Sequence, residues 1–264
     1  VADPLHPWDL TGRRVLVTGG GRGIGRAIAT RFLASGADVM TCGRTEPDDP
    51  PSAGGRTVRF VTADVRDPDQ AAALVTATVE AFGGLDVVVN NAGGSPAADA
   101  ATMSPRFFGA IVSLNLTAAF LVGQAANAVM QRGEGGCIIN IGSISAHQPS
   151  PGTAAYSAAK AGLLGLTRAL ALEWAPKVRV NHISAGQVHT DQTDEYYGPD
   201  GAEVVGRLRG TIASGRMADP EDIASACLYL ASPLAGYVSG ADLGVEGGGE
   251  LPARFLATGR PQPR

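Results

Sequence analysis

The feature that most constrains this chain is a short apolar strand, Arg13–Val17, that runs directly into a glycine-rich turn and a helix. The turn reads Thr18-Gly19-Gly20-Gly21-Arg22-Gly23-Ile24-Gly25, and the helical run continues through Ala34. Glycine lets backbone approach an anionic group closely, and a helix N-terminus presents free N–H groups with partial positive charge. Strand, glycines and helix in that order describe a pyrophosphate-binding βα turn. Its spacing, G-x-x-x-G-x-G, differs from the G-x-G-x-x-G of other dinucleotide-binding folds.

The remainder repeats the alternation. Further strands are expected at Ala37–Cys42, Thr57–Thr62, Leu85–Val89, Cys137–Ile141, Val178–Ile183 and Asp242–Val245, with helices beginning near Gly23, Pro68, Pro105, Ala154 and Pro220. This βαβα rhythm argues for a doubly wound α/β fold with a mostly parallel sheet. Runs such as VLV and VVV are apolar on both sides, as a sheet covered on both faces requires. The 264 residues, 44% hydrophobic and 17% charged, suit a single dinucleotide-binding and catalytic domain over 1–264. Thr45–Gly55 is rich in Pro, Asp and Gly, reads as a loop, and leaves little room for a helix after the second strand. An arm at 1–10, a substrate lid at about 187–213 carrying Tyr196 and Tyr197, and a proline-containing tail at 251–264 complete the expected organisation.

Composition removes several function classes. A net charge of −4 gives no basic footprint for nucleic acid. Cys42, Cys137 and Cys227 are odd in number, far apart and without metal-ligand spacing, so they read as buried free thiols in a reducing, cytoplasmic setting, and no metal is expected. The N-terminal VADPLHPWDL lacks a cationic stretch followed by an apolar core, and no run of ~18 apolar residues predicts a membrane span.

The chemistry is carried by Tyr156-Ser157-Ala158-Ala159-Lys160, with Ser143 upstream. Residues four apart share a helix face, so phenol and ammonium lie side by side. A free phenol, with a pKa of ~10, is a poor acid or base at neutral pH, and a neighbouring cation favours the phenolate. The pair therefore reads as an acid/base device for a carbonyl or alcohol oxygen. Asn115, in the apolar helical run FGAIVSLNLTAAF, needs a hydrogen-bond partner if buried.

Taken together, TGGGRGIG, NNAG at Asn90–Gly93, Asn115, Ser143 and YSAAK resemble the short-chain dehydrogenase/reductase family, in order and spacing, from about Thr11 to Gly249. Gly215-Arg216, PEDIA from Pro220 and Val245-Glu246-Gly247-Gly248 agree. The resemblance implies a Rossmann sheet of seven parallel strands ordered 3-2-1-4-5-6-7. It implies a secondary alcohol/ketone oxidoreductase in which Tyr156 is the general acid/base and Lys160 lowers the phenol pKa and holds the nicotinamide ribose. Ser143 would hydrogen-bond the substrate oxygen, and Asn115 would support a water relay to the lysine. On the cofactor side it implies Gly19, Gly21, Arg22, Gly23, Ile24 and Gly25 at the pyrophosphate and Asp64 and Val65 at the adenine. Asn91, Ala92 and Gly93 would lie at the ribose and the nicotinamide floor, and Val188 and Thr190 at the carboxamide. Family members are usually tetramers, here through helices near Phe107–Gln131 and Ala154–Ala175. Two departures stand out: Ala185-Gly186 replaces the usual Pro-Gly, and Glu246 stands where aspartate is more usual.

Cofactor choice is read at the end of the second strand. An acidic residue there holds a ribose 2′-hydroxyl, whereas arginine holds a 2′-phosphate. Thr41-Cys42-Gly43-Arg44 has glycine at the usual acidic position and then arginine, with Arg22 as a second candidate. This favours NADP over NAD. The nearby Glu46, Asp48 and Asp49 would reverse that choice if they turned inward. Two other functions stay open: reduction of a 3-oxoacyl group on a carrier protein or coenzyme A, which would favour basic residues such as Arg132, Arg207 and Arg209 near the entrance, and a non-catalytic nucleotide sensor. His147 and His189 read as polar lining of the site, Ser145 as a substrate contact or turn residue, and Trp174 as core or subunit interface.

Overall fold

A computed structural model of the chain describes residues 7–191, 193 and 201–258. The sheet strands are β1 (Arg14–Thr18), β2 (Asp38–Gly43), β3 (Arg59–Thr62), β4 (Val87–Asn90), β5 (Gly136–Ile141), β6 (Val178–Ala185) and β7 (Asp242–Val245). They form one parallel seven-stranded sheet ordered β3-β2-β1-β4-β5-β6-β7. The helices are α1 (Gly23–Ala34), α2 (Pro68–Phe82), α3 (Pro105–Val112), α4 (Ala118–Arg132), α5 (Ala154–Glu173), α6 (Gly201–Thr211), α7 (Pro220–Ala231) and α8 (Ala253–Thr258).

Strand periodicity divides the core between two layers. Successive side chains on a strand point to opposite faces. In β1, Val15 and Val17 enter one cluster with Ile28, Phe32 and Leu33 of α1 and Ile223 and Cys227 of α7. Leu16, between them, enters the other with Leu74 of α2, Val122 of α4 and Ile138 of β5. All three β1 side chains are fully buried.

Helix starts follow local chemistry. Proline fits the first helical turn because its missing N–H has no intrahelical partner there. Pro68, Pro105 and Pro220 occupy such positions. Before α2, the Asp67 carboxylate accepts from the Asp69 and Gln70 amides at 2.9 and 3.1 Å. Before α3, Ser104 Oγ accepts from the Phe107 amide at 3.2 Å.

Four details differ from expectation. The third strand begins at Arg59, because Arg56–Thr57 pairs with Ser52–Ala53 in a small antiparallel hairpin. That hairpin occupies the segment read as loop, and no helix lies between β2 and β3. The long helix from Pro105 is interrupted by a π-helical turn at Ser113–Thr117. Pro105–Arg132 is also long and apolar enough to cross a membrane by length and composition. It packs against α2, α5 and the sheet; most of its large apolar side chains are buried or partly buried, and Phe108 is exposed. The supposed lid contains α6, and the tail contains α8; residues 1–6, 192, 194–200, with Tyr196 and Tyr197, and 259–264 lie outside the described residues.

The base of the sheet is pinned by Asp86, just before β4. Its carboxylate accepts from the Arg14 amide (2.8 Å), Arg14 Nε (2.7 Å) and a terminal Arg14 nitrogen (2.8 Å), joining β1 to the entry of β4. Burial alone would raise its pKa, but the hydrogen bonds and charge of Arg14 outweigh burial and hold it below the usual carboxylate range. Asp86→Asn should therefore cost about 2–4 kcal/mol of unfolding free energy, as removal of one partner of a buried ion pair does. Because the folded pKa is depressed, this stabilisation is present above the unfolded carboxylate pKa and is lost as pH falls through the folded value. Urea melts at pH 7 and pH 3 should show the gap between wild type and variant narrowing in acid.

Candidate active site

The site lies at the C-terminal ends of the strands, where β1 and its neighbours β2 and β4 meet the switch in strand order. The glycine turn leaves β1 at Gly19, whose φ of +66° an L side chain rarely adopts. A Cβ at Gly25 would collide with the Gly19 carbonyl oxygen and come within 2.5 Å of Asn91 Nδ2. α1 therefore begins directly over the turn. Among the described residues no side chain caps α1 at its N-cap position and no acidic residue lies in its first turn, whereas α2 has both the Asp67 cap and Asp69. A helix start free of acidic side chains, beside backbone that only glycine permits, fits a pyrophosphate.

Asn91 ties the two strand ends together. Its side-chain amide donates to the carbonyls of Thr18 (2.9 Å) and Gly19 (3.2 Å), and the amides of Asn91 and Ala92 both donate to Thr18 Oγ1 at 3.0 Å. It staples the end of β4 to the glycine turn. Thr190 is brought to the same place: its Cγ2 lies 3.6 Å from where a Gly23 side chain would begin. Thr190 Oγ1 also lies 3.2 Å from Thr193 Oγ1. Val188 bridges to Ala218. The missing proline before Gly186 is compensated by the sheet: Ala185 pairs with Val245, and the Gly186 amide donates to the Val245 carbonyl at 2.9 Å.

At the adenosine end, Arg44 is exposed just beyond β2. Asp64 is bound by Arg66 through Nε (2.8 Å) and a terminal nitrogen. The Arg66 hydrogen bond, with a further contribution from the charge of Arg44, draws the Asp64 pKa down to about 2. Asp49, one of the carboxylates that could have opposed a 2′-phosphate, pairs with Arg26 at 2.6 Å. Val65 is buried in the core, and Glu46 and Asp48 are exposed.

Ser143, Tyr156 and Lys160, the residues expected to handle the proton, come together at the end of β5. Lys160 is 4% exposed, and its ammonium donates to the Ile141 carbonyl at 2.7 Å. Burial lowers its pKa to about 8. It lies 5.4 Å from the centre of the Tyr156 ring. Tyr156 hydrogen-bonds to Ser143, which favours its ionised form, but burial is the larger influence and raises the phenol pKa. The expectation that Lys160 by itself brings this phenol towards neutrality is therefore not met within the protein alone. Ser143 Oγ also accepts from the Ser145 amide at 3.1 Å, opening the 3₁₀ turn Ile144–Ala146, which makes Ser145 a turn residue.

Asn115 sits in the π-helical turn, 1% exposed. Its Oδ1 accepts from the Gly94 amide, and its Nδ2 donates to the Gly94 and Ile111 carbonyls, each at 2.9 Å. It thus holds the NNAG segment beside Lys160; a Cβ at Gly93 would lie 3.4 Å from the ammonium and 2.8 Å from Asn115 Oδ1.

Some functional context was missed from sequence. Asn90 Nδ2 donates to Asn140 Oδ1 (2.9 Å), whose own amide donates to Thr167 (2.9 Å). This buried chain ties β4 and β5 to α5. Its signal was polar residues ending two apolar strand runs. His147 is not simple lining, as it reaches Asp242 and Ser184. Trp174 packs on the second core cluster beside Gly123.

A family model described as enoyl-(acyl carrier protein) reductase matches residues 19–250. The chain belongs to the short-chain dehydrogenase/reductase family. As such it is an oxidoreductase of alcohol and ketone groups, from a family that uses nicotinamide cofactors. It is similar to an uncharacterised oxidoreductase of Mycobacterium tuberculosis, 36% identical over 94% of this chain and 96% of the relative. A 3-oxoacyl-[acyl-carrier-protein] reductase of Vibrio cholerae is 35% identical over 91% and 98%. A solved short-chain dehydrogenase/reductase from Serratia marcescens superposes with a TM-score of 0.81 at 33% identity, covering 91% of this chain and 98% of that one.

For this short-chain dehydrogenase/reductase, Asn115→Ala removes a fully satisfied buried amide and leaves Gly94 groups unpaired. The expected cost is ~1–3 kcal/mol, with amide exchange at Gly94 accelerating while β1 stays protected. Unaltered exchange there would show that Asn115 does not hold this segment.

Proposed function

We propose that the chain is an NADP(H)-dependent oxidoreductase that interconverts a secondary alcohol and a ketone. The observation that carries this reading is the convergence of the Ser143–Tyr156 hydrogen bond and the buried Lys160 ammonium at the strand ends beside the glycine turn. Gly19 to Gly25 would hold the pyrophosphate, Arg44 the 2′-phosphate, and Val188 and Thr190 the carboxamide. When bound, the nicotinamide supplies or accepts a hydride at the carbon bearing the oxygen.

The protein's own part is to manage that oxygen. In reduction, Ser143 Oγ–H donates a hydrogen bond to the carbonyl oxygen, and Tyr156 gives its proton as negative charge develops there. A phenol pKa raised by burial keeps that proton in place at neutral pH, and Lys160, charged below about pH 8, stabilises the phenolate left behind. In oxidation the same phenolate takes the alcohol proton. Asn115 holds the Gly94 backbone beside the lysine.

Support for NADP is local. No carboxylate stands at Gly43, Arg44 is exposed beside the turn, and Asp49 is engaged by Arg26. The Vibrio relative keeps reduction of a 3-oxoacyl carrier substrate as the second reading. Of the basic residues that could greet an acidic carrier protein, Arg207 is paired with Glu203 on α6. The proposed assembly is a homotetramer, supported by exposed apolar side chains on the long helices and near the C-terminal strand: Phe108, Leu172, Leu234 and Tyr237. A cytoplasmic location is supported by three free buried cysteines. Partners are taken to be a small-molecule ketone or alcohol, with no nucleic acid and no membrane.

Purified protein should oxidise NADPH when screened against ketones and 3-oxoacyl thioesters. Tyr156→Phe should lower kcat by at least ~100-fold, the scale of a positioned general acid, with cofactor binding retained; an unchanged kcat would overturn the mechanism. Arg44→Ala should raise the KM for NADPH ~10–100-fold, as loss of a charge-assisted hydrogen bond implies. The KM for NADH should be unaltered, and a protein that prefers NADH with Arg44 intact would overturn the assignment.

A further inference from the structure

A polar cluster lies behind the Ser143 loop and has no part in the reaction as written above. Its centre is Asp242, the first residue of β7. Asp242 Oδ1 accepts from Ser184 Oγ at 2.8 Å and lies 2.7 Å from His182 Nδ1; its Oδ2 lies 2.7 Å from His147 Nε2. His147 Nε2 is also 3.0 Å from Ser184 Oγ. The sheet register explains the convergence. His182 pairs with Asp242 across β6 and β7, and Ser184, two residues on, shares its face.

His182 is wholly buried. Burial favours its neutral form, the charges of Lys160 and His147 act in the same direction, and Asp242 opposes them; the net pKa is lowered. A neutral imidazole whose Nδ1–H donates to Asp242 leaves Nε2 as a bare acceptor. That atom is buried and has no hydrogen-bond partner among the described residues. It and Cε1 fill the space that a side chain on residue 142 would take. Gly142 joins two working residues: the carbonyl before it, on Ile141, holds the Lys160 ammonium, and the residue after it is Ser143. The Gly142 amide is tied to the Ile183 carbonyl at 2.7 Å.

The loop is braced at its far end as well. After Ser143 the chain makes the 3₁₀ turn Ile144–Ala146, and His147 follows it directly. The side chain of His147 is 45% exposed, yet it turns back to Asp242. One carboxylate therefore holds the ring packed on the start of the loop and the ring at its end.

We propose that His147, Asp242 and His182 form a positioning unit that sets the direction of Ser143 towards Tyr156. These residues act through Ser143 and do not themselves touch substrate. The inference rests on the proposed reaction, in which Ser143 hydrogen-bonds the carbonyl oxygen. It assigns a purpose to three ionisable groups that a sheet edge could otherwise have filled with apolar side chains, and burying such groups carries a desolvation cost that good geometry must offset.

The test uses His147→Ala, whose half-exposed position leaves the core intact, and Asp242→Asn, which keeps the shape and removes the charge. With a ketone that wild type reduces, kcat should fall ~10–100-fold in each, the scale expected when a catalytic group is misplaced by about an ångström. The dissociation constant for NADPH should stay within about twofold, because the glycine turn that would hold the pyrophosphate follows β1, and in a Ser143→Ala background the same substitutions should cost less than about threefold, since residues acting through one group are not additive. Equal losses with and without Ser143, or an unchanged kcat in His147→Ala, would overturn the proposal. Amide exchange supplies a readout that needs no substrate. Exchange across 143–147 should accelerate in His147→Ala while β5 remains protected, and unchanged exchange would overturn the positioning role. A wild-type protein that reduces no ketone would instead overturn the proposed reaction, leaving the exchange result to decide whether the cluster braces the loop.

Discussion

Taking an ammonium out of water costs several kcal/mol unless the protein returns what hydration supplied. Lys160 is nearly inaccessible, and the Ile141 carbonyl is its hydrogen-bond acceptor at 2.7 Å. Burial leaves its pKa at about 8, low for a lysine but high enough to keep the charge at neutral pH. Much of the site follows from accommodating that cation. β5 ends at Ile141, so its last carbonyl reaches the ammonium. Gly93 carries no side chain where one would crowd both Lys160 and Asn115. Asn115 in turn closes the Gly94 backbone through both ends of its amide. A side chain at Gly93 or an apolar residue at Asn115 would disturb the surroundings of the lysine before it disturbed the core.

The second constraint is the tight meeting of β1, β4 and α1. Asn91 spends its amide on Thr18 and Gly19, and Thr18 Oγ1 takes two amides from the opposite strand end. The glycine turn is consequently held from below by the same segment that Asn115 holds from the side. The glycine turn and the surroundings of Lys160 thus share one short run, residues 90–94, as their common support. Residues 90, 91 and 93 of this run each face a different neighbour: Asn140, the glycine turn, and Lys160 with Asn115.

Local signals carried most of the fold. Apolar runs between turn residues gave the strands, and proline after an acidic or hydroxyl residue gave the starts of α2, α3 and α7. The glycine turn and the Tyr156–Lys160 spacing were legible because each depends on neighbours within a few residues. What was not legible depends on distance. Asp242 and His147 are 95 positions apart, and nothing in either neighbourhood announces the other. The π-helical turn at Ser113–Thr117 leaves no mark in an otherwise helical pattern. The hairpin at Ser52–Thr57 hides in a run of turn formers, where two short pairs of residues carry little periodicity. The phenol of Tyr156 illustrates a different limit. Helical spacing predicts the cation beside it, but only burial reveals that desolvation outweighs the help of the Ser143 hydrogen bond.

The two sides of the site are built with different stiffness, and this bears on specificity. Oxygen-handling groups are fixed to strand ends and to α5. The opposite rim is joined by weaker, exposed contacts: Glu250 accepts from Gln148 at 3.3 Å and from Gln187 at 3.2 Å, linking the segment after the Ser143 turn to the segment after β6. Such exposed amide–carboxylate contacts contribute little and rearrange readily. A substrate entering here would meet groups free to re-form around it, over chemistry that cannot move. On the proposed reaction, relatives about one-third identical could share the reaction class while acting on different molecules if the strand ends set what is done to the oxygen and this rim sets what carries it. On the same reasoning, substitutions at Gln148, Gln187 or Glu250 alter KM among substrates, whereas those at the strand ends alter kcat for all of them.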